Sequence, residues 1–313
     1  MRAFAVGSFG EAPAVRELPV PAVDGTFLIR VTYAGVNPLD YKLVEQLTPD
    51  SSYPFVVGVD FAGVVERAPT RAHDIRVGDR VFGIARTHGA YAEYTAVAPA
   101  VSAEPLAPTP DGVSDEEAAA LPIAGITALR SLQLLDITTA GQRVVVIGAT
   151  GGVGGYAVQI ARSFGASVTA IVRGDIDEAR RLGADEVFDT NSGDVFAAVS
   201  ASHPKGVDAV LDLVDGPGEI HPVARILRPG GRLVSALYAA DESWFAARQV
   251  AAYNIASLTN PLSSPAGLSE VAGMVADGAI TVRIRLTAEL DNAGQVLERV
   301  RTGGLRGKAV IRL

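Results

Sequence analysis

The sequence predicts an α/β chain of two domains, a mostly antiparallel β domain followed by a doubly wound parallel sheet. Three observations carry that reading. Residues 1 to about 110 break into short alternating segments between Gly and Pro. From Arg143 onward, fully apolar runs alternate with helical stretches. Between the first such run and its helix lies a glycine cluster, Gly148-Ala149-Thr150-Gly151-Gly152-Val153-Gly154-Gly155.

In chain order, Phe27 to Tyr33, Gly63 to Arg67 and Arg80 to Ile84 read as strands of the first domain. Pro99, Pro105, Pro108 and Pro110 mark a change of texture. The Ala-rich run Ser114 to Leu121 then opens with a Ser cap and three acids, the signature of a helix start. Val144 to Ile147 is the first buried strand of the second domain, Val153 to Phe164 its helix and Val168 to Val172 the next strand. The alternation continues through Ile176 to Leu182, Glu186 to Phe188, Val207 to Val214, His221 to Leu227 and Arg232 to Leu237. The tail shows one helical pattern, Leu268 to Asp277, and a closing strand, Lys308 to Leu313, suited to rejoining the first domain. The expected division is 1–118, 119–259 and a return over 260–313.

Composition narrows the function. The 313 residues are 48% hydrophobic and 20% charged, enough apolar surface for two cores. A net charge of −8 has the wrong sign for a dedicated nucleic-acid binder. With no cysteine there is no disulfide, thiolate zinc site, iron–sulfur cluster or cysteine nucleophile, which fits a cytoplasmic location. The longest apolar region, Ala118 to Leu135, is cut by Pro122, Gly125 and Arg130, and the N-terminus lacks an apolar stretch of signal-peptide length, so no membrane segment is expected.

The glycine cluster follows a strand and opens a helix, the setting in which backbone amides and the helix dipole hold a pyrophosphate. Ala149, Thr150, Gly151, Gly152, Val153 and Gly154 are therefore candidate dinucleotide contacts, against the plainer reading of a packing turn. At the end of the second strand, where a dinucleotide fold reads the adenosine ribose, stands Arg173 beside Gly174. A basic group there selects the phosphate of NADPH, whereas Asp175, two residues on, is the kind of group that selects NAD. Thr150 to Gly154 also resembles the loop of short-chain dehydrogenases. Those enzymes pair it with Tyr-x-x-x-Lys, which this chain lacks.

A wider resemblance rests on the segments Gly35-Val-Asn-Pro-Leu-Asp-Tyr-Lys42, Val57-Gly-Val-Asp-Phe-Ala-Gly-Val64, Val77 to Gly83, Gly89-Ala-Tyr-Ala-Glu-Tyr94, Leu121 to Ala128, Gly148 to Gly155, Leu182 to Asp185, Leu227 to Arg232 and Gly307-Lys308, in that order. The chain resembles the zinc-independent, zeta-crystallin-like quinone oxidoreductases among the medium-chain dehydrogenase/reductases. That resemblance implies a GroES-like β domain with catalytic residues and a Rossmann domain for the cofactor. Zinc-dependent relatives carry Cys near Asn37 and Gly-His-Glu where Gly58-Val59-Asp60 stands, so no metal is expected. The four histidines, His73, His88, His203 and His221, show no ligand spacing.

Without a Lewis acid, the accessible chemistry is hydride delivery to an acceptor already activated by conjugation, a quinone or an α,β-unsaturated carbonyl. By resemblance, Asn37 lies by the acceptor carbonyl and the nicotinamide as a hydrogen-bond donor. Lys42 would bind ribose or supply charge, with Asp40 orienting Lys42. Tyr41, Tyr53 and His88 are candidate proton donors or pocket walls. Thr127, Leu213, Val214, Ala236, Leu237, Tyr238 and Lys308 are candidate cofactor contacts. The resemblance also implies a homodimer and a small-molecule substrate. An enoyl reductase of a biosynthetic pathway and a non-catalytic NADPH-binding protein stay open as alternatives.

Overall fold

The computed structural model describes residues 1–22, 25–70, 74–87, 89–98, 104–255, 264–303 and 305–313. The first part of the chain forms β1 (Arg2–Val6), β2 (Ala14–Glu17), β3 (Phe27–Val36), helix α1 (Pro38–Glu45), β4 (Phe55–Val56), β5 (Asp60–Arg67), β6 (Arg80–Ile84), β7 (Tyr94–Val97) and β8 (Leu106–Pro108). The Ala-rich run divides: α2 (Asp115–Ala119) is capped by Ser114 Oγ on the Glu117 N–H, and α3 (Pro122–Leu134) begins afresh. Pro122 is the reason, since proline has no N–H to continue a helix but suits the first position of the next.

The second part runs β9 (Arg143–Ile147), α4 (Gly152–Ser163), β10 (Ser167–Val172), α5 (Ile176–Arg181), β11 (Glu186–Asp189), α6 (Val195–Ser202), β12 (Val207–Asp212), β13 (Leu227–Ser235), α7 (Glu242–Ala246) and β14 (Ala251–Asn254). The return comprises α8 (Pro265–Ala276), β15 (Ile284–Glu289), α9 (Ala293–Arg301) and β16 (Lys308–Arg312). Three differences from the sequence expectations stand out. His221–Arg225 is a 3₁₀ turn, and the strand expected at Arg232 starts at Leu227. The tail holds a second helix, α9, which buries Ala293, Val296 and Leu297 at helical spacing.

The chain divides into two compact units, Met1–Ile126 with Pro261–Gly278 and Val282–Leu313, and Thr127–Asn260 with Ala279–Thr281. The first crossing thus falls inside α3 and not after residue 118. The start of α3 is fastened to the first unit, because the Ile123 N–H donates to the Asp60 carboxylate of β5. Thr281 belongs with the second unit through its bonds to Gln159 of α4.

The first unit holds a seven-stranded sheet, β15-β16-β3-β5-β6-β8 with β7 also on β3, and a three-stranded sheet, β2-β1-β4. All of these pairings are antiparallel except β15–β16. Phe4, Ile29, Phe61, Val81, Tyr91 and Ile311 belong to its core. The second unit is a six-stranded, wholly parallel sheet in the order β11-β10-β9-β12-β13-β14. Read as third, second, first, fourth, fifth, sixth, that is the dinucleotide-binding order, with the switch point between β9 and β12.

Candidate functional site

Strand register assembles the candidate site of the first unit. β16 and β5 flank β3, with Ala309 opposite Val36 and Asp60 opposite Gly35, so Lys308, Asn37 and Asp60 converge at one end of three adjacent strands. Asn37 follows β3 in extended backbone, and Pro38 starts α1 directly after it. The Asn37 N–H donates to Asp40 Oδ2 at 2.8 Å, the carboxylate half of a helix cap. Tyr91 Oη donates to the same oxygen at 2.9 Å.

The Asn37 side chain is held at both ends: Nδ2 donates to Asp60 Oδ2 at 2.9 Å and Oδ1 accepts from Lys308 Nζ at 2.6 Å. Lys308 Nζ also donates to the Val36 carbonyl at 2.9 Å, and both Asp60 oxygens accept from the Ile123 N–H at 3.2 and 3.1 Å. The five side chains are buried. Gly58 makes room for one of them. Its φ is +84°, and a Cβ there would lie 2.2 Å from the Tyr91 ring, so only glycine admits the ring that carries its hydroxyl to Asp40.

Burial dominates the electrostatics. It pushes the Asp40 carboxyl up to about 7, with the Asp60 charge adding to the rise and the Asn37 N–H opposing it. It pushes Asp60 to about 6, opposed chiefly by the Lys308 charge. Burial drives the Tyr91 hydroxyl well up, and Asp40 adds to it. Lys308 is drawn down by burial while Asp60 and Asp40 hold it charged.

Several sequence expectations change here. Asp40 does not orient Lys42: one oxygen serves Asn37 and Tyr91, and the other, Oδ1, is buried without a partner. Residues two apart on a helix do not share a face, so Lys42 points elsewhere and is half-buried. Tyr41 packs partly buried against the first core, and burial raises its hydroxyl. Tyr53 Oη donates to the Thr48 carbonyl at 2.8 Å. His88 lies outside the described residues. Lys308, expected among the cofactor contacts, sits in the Asn37 network. Sequence reasoning missed Asp60 and Tyr91 as site residues. The available signal was a lone carboxylate in the apolar stretch Val57 to Ala62, which burial obliges to find a partner.

The second unit carries the glycine loop. β9 ends at Ile147, Gly148 turns at φ +80°, and Gly151 caps α4 with no side chain. The first-turn amides of α4 therefore have no side-chain cap from Gly151. A Cβ on Gly154 would lie 2.2 Å from the Gly148 carbonyl oxygen, so the helix starts tight against its own loop. Ala149 and Thr150 are buried, while Gly152 and Val153 are partly exposed. Arg173 is exposed directly after β10, and the Gly174 N–H beside it donates to Asp189 Oδ1 at the end of β11. Thr127 is buried on α3.

Val214, Leu237 and Tyr238 are exposed apolar side chains following β12 and β13, with Leu213 and Ala236 half-buried beside them. The glycine loop, Arg173 and these residues all follow the carboxyl ends of parallel strands, where ligands of doubly wound sheets collect. Loop amides for a pyrophosphate, an exposed base at the second strand end and an apolar lip after the fourth and fifth strands fit a dinucleotide. Among the described residues no group of His, Asp or Glu has the arrangement to hold a metal ion, and no helix is long and apolar enough to cross a membrane.

Comparison with known proteins agrees with this geometry. Residues 23–111 match the family described as alcohol dehydrogenase GroES-like domain, and residues 182–311 match the one described as zinc-binding dehydrogenase. Mouse quinone oxidoreductase is 32% identical over 248 residues, 75% of this chain and 72% of that protein. Tomato 2-methylene-furan-3-one reductase is 31% identical over 257 residues, 75% of this chain and 65% of that protein. The quinone oxidoreductase structure from Coxiella burnetii superposes with a TM-score of 0.87 at 27% identity, over 100% of this chain and 99% of the other. A mycobacterial protein solved in complex with NADPH gives 0.86 at 25% identity, over 100% of both chains. The chain is an oxidoreductase that belongs to the zinc-independent quinone oxidoreductase group of the medium-chain dehydrogenase/reductases.

Proposed function

We propose that the protein is an NADPH-dependent reductase that delivers hydride to a quinone or an α,β-unsaturated carbonyl. The observation that carries the reading is that one chain holds both a glycine-built dinucleotide loop and a buried amide, Asn37, anchored at both ends. Reduced nicotinamide supplies the hydride when bound. The chain's own residues supply the rest. The first-turn amides of Gly152 to Gly154 would bind the pyrophosphate, since the Gly151 N–H already donates to the Gly148 carbonyl, and Arg173 would read the phosphate that distinguishes NADPH from NADH.

Val214, Leu237 and Tyr238 form the apolar bed for the nicotinamide half. In the first unit, the Asn37 amide donates a hydrogen bond to the acceptor's carbonyl oxygen, where negative charge collects as the new C–H bond forms. An enolate then takes a solvent proton at its α-carbon, and a hydroquinone monoanion takes one on oxygen, so in either case one hydride and one proton complete a two-electron reduction. The names of the mouse and tomato relatives, a quinone oxidoreductase and a furanone reductase, support this acceptor class.

Loss of reduced-nicotinamide absorbance with a simple quinone, with a small enone and with NADH in parallel cells, tests the reading. NADPH oxidation with the quinone, at least tenfold faster than with NADH under subsaturating cofactor, is the expected result. Turnover with the enone alone would shift the assignment to an enoyl reductase. NADPH binding without turnover in any cell would overturn the catalytic reading.

A further inference from the structure

A side-chain amide has two chemically opposite ends of nearly the same shape, and nothing about its size decides which way round it sits. At Asn37 the surroundings decide. Oδ1 meets the ammonium of Lys308 at 2.6 Å and Nδ2 meets the carboxylate of Asp60 at 2.9 Å. Turned over, the amide would present N–H groups to a donor and a carbonyl to an acceptor, losing both charge-assisted bonds and adding two repulsions. Two neutral partners, such as hydroxyls, would tolerate either orientation.

Each partner is itself immobilised. Lys308 Nζ is held by the Val36 carbonyl at 2.9 Å, one residue before Asn37, and Asp60 accepts the Ile123 N–H at the start of α3. Asp60 and Lys308 are 0% and 4% exposed, so water competes little for either bond. Of the two Nδ2 protons, Asp60 takes one. The other is the donor that the amide has left to offer.

We propose that Asp60 and Lys308 are positioning residues for the hydride transfer, an oppositely charged pair that fixes the Asn37 amide with its second N–H directed to the acceptor's carbonyl oxygen. The inference rests on the placement of Asn37 against the acceptor. It adds that Asn37 alone is insufficient: a donor free to turn over offers its carbonyl to the developing oxyanion in part of the molecules, and preorganisation is lost.

A double-mutant cycle on kcat tests it, measured at pH 8 with saturating NADPH and quinone on Asn37→Ala, Asp60→Asn, Lys308→Met and the combinations with Asn37→Ala. Asp60→Asn and Lys308→Met should each lower kcat at least tenfold when Asn37 is present and less than twofold in the Asn37→Ala background. The Kd for NADPH, followed by reduced-nicotinamide fluorescence, should stay within twofold of wild type throughout. Equal losses of kcat in both backgrounds would overturn the positioning role while leaving Asn37 in place. An unchanged kcat for Asn37→Ala would instead remove Asn37 from the mechanism, and this inference with it.

Thermal melts establish that each variant is folded. Should Asp60→Asn fail to fold because it leaves a buried ammonium unpaired, the Lys308→Met arm and the charge-neutral pair Asp60→Asn/Lys308→Met carry the same test.

Discussion

The two candidate sites of this chain are built on opposite principles. The glycine loop of the second unit is contiguous and made of backbone: eight successive residues, Gly148 to Gly155, run from the end of β9 into the first turn of α4, and their side chains matter mainly by being absent. The Asn37 corner of the first unit is made of side chains brought from four separate segments, Asn37 with Asp40, Asp60, Tyr91 and Lys308, joined by the backbone N–H of Ile123, and its strength lies in buried charge. The difference teaches where each is vulnerable. A backbone site fails when a Cβ is added, and a buried side-chain network fails when a charge is changed.

The largest effect should come from adding side-chain volume to the loop. Gly154→Val places atoms where a Cβ alone would already be 2.2 Å from the Gly148 carbonyl oxygen, an atom with no freedom to retreat. NADPH binding should weaken more than about 100-fold, the scale on which a displaced binding loop loses its ligand. Fluorescence titration with a parallel thermal melt reads this, and an affinity within threefold of wild type would break the contrast at its backbone end.

A charge change at the other site should act through pH. The folded value of Asp40, about 7, lies above its ordinary value of 3.8, so between the two the native protein holds a proton that the unfolded chain has lost. The associated stability is fully present below about 3.8 and is lost as pH rises through about 7. The span is on the order of a few kcal/mol for a fully buried carboxyl. Asp40→Asn keeps an acceptor for the Asn37 N–H and the Tyr91 hydroxyl but cannot ionise. Denaturant melts from pH 4 to 8 should therefore show a shallower fall in stability for the variant than for wild type. Asp60 contributes the slope that remains up to about pH 6. Parallel slopes would mean that Asp40 is not buried as a carboxyl of raised affinity for protons.

The same contrast explains what the sequence disclosed. The glycine loop was legible because strand, glycines and helix are consecutive, and Arg173 because strand ends can be counted from the loop. The parallel sheet followed from its apolar runs. The Asn37 network was legible only in part. Asn37 and Asp40 lie in one turn and were found. Asp60 and Tyr91 sit singly among apolar neighbours, and their partners depend on the β16–β3–β5 register, which no local pattern encodes. Lys308 was visible as a motif, but its partner was not. Helix α9 escaped for a different reason: its apolar face of Ala293, Val296, Leu297 and Val300 is regular, but the element has only nine residues, short of the span over which a helical period is read from sequence.

The most selective effect, confined to one of the two cofactors, separates side chain from backbone within the second unit itself. Arg173 is exposed and directly follows β10, outside the buried core. If it reads the phosphate of NADPH through charge-assisted hydrogen bonds, of roughly 1.5 to 3 kcal/mol, Arg173→Ala should weaken NADPH binding roughly 10- to 150-fold. NADH, which has a hydroxyl in that place, should bind the variant as it binds wild type. Paired titrations of both cofactors against both proteins measure the ratio. Salt adds a second axis, because an exposed charge contact is screened. The advantage of NADPH over NADH should shrink as ionic strength rises in wild type and stay flat in the variant. Equal losses for the two cofactors would assign Arg173 to the general field of the loop, and discrimination would then reside in the backbone around Gly174.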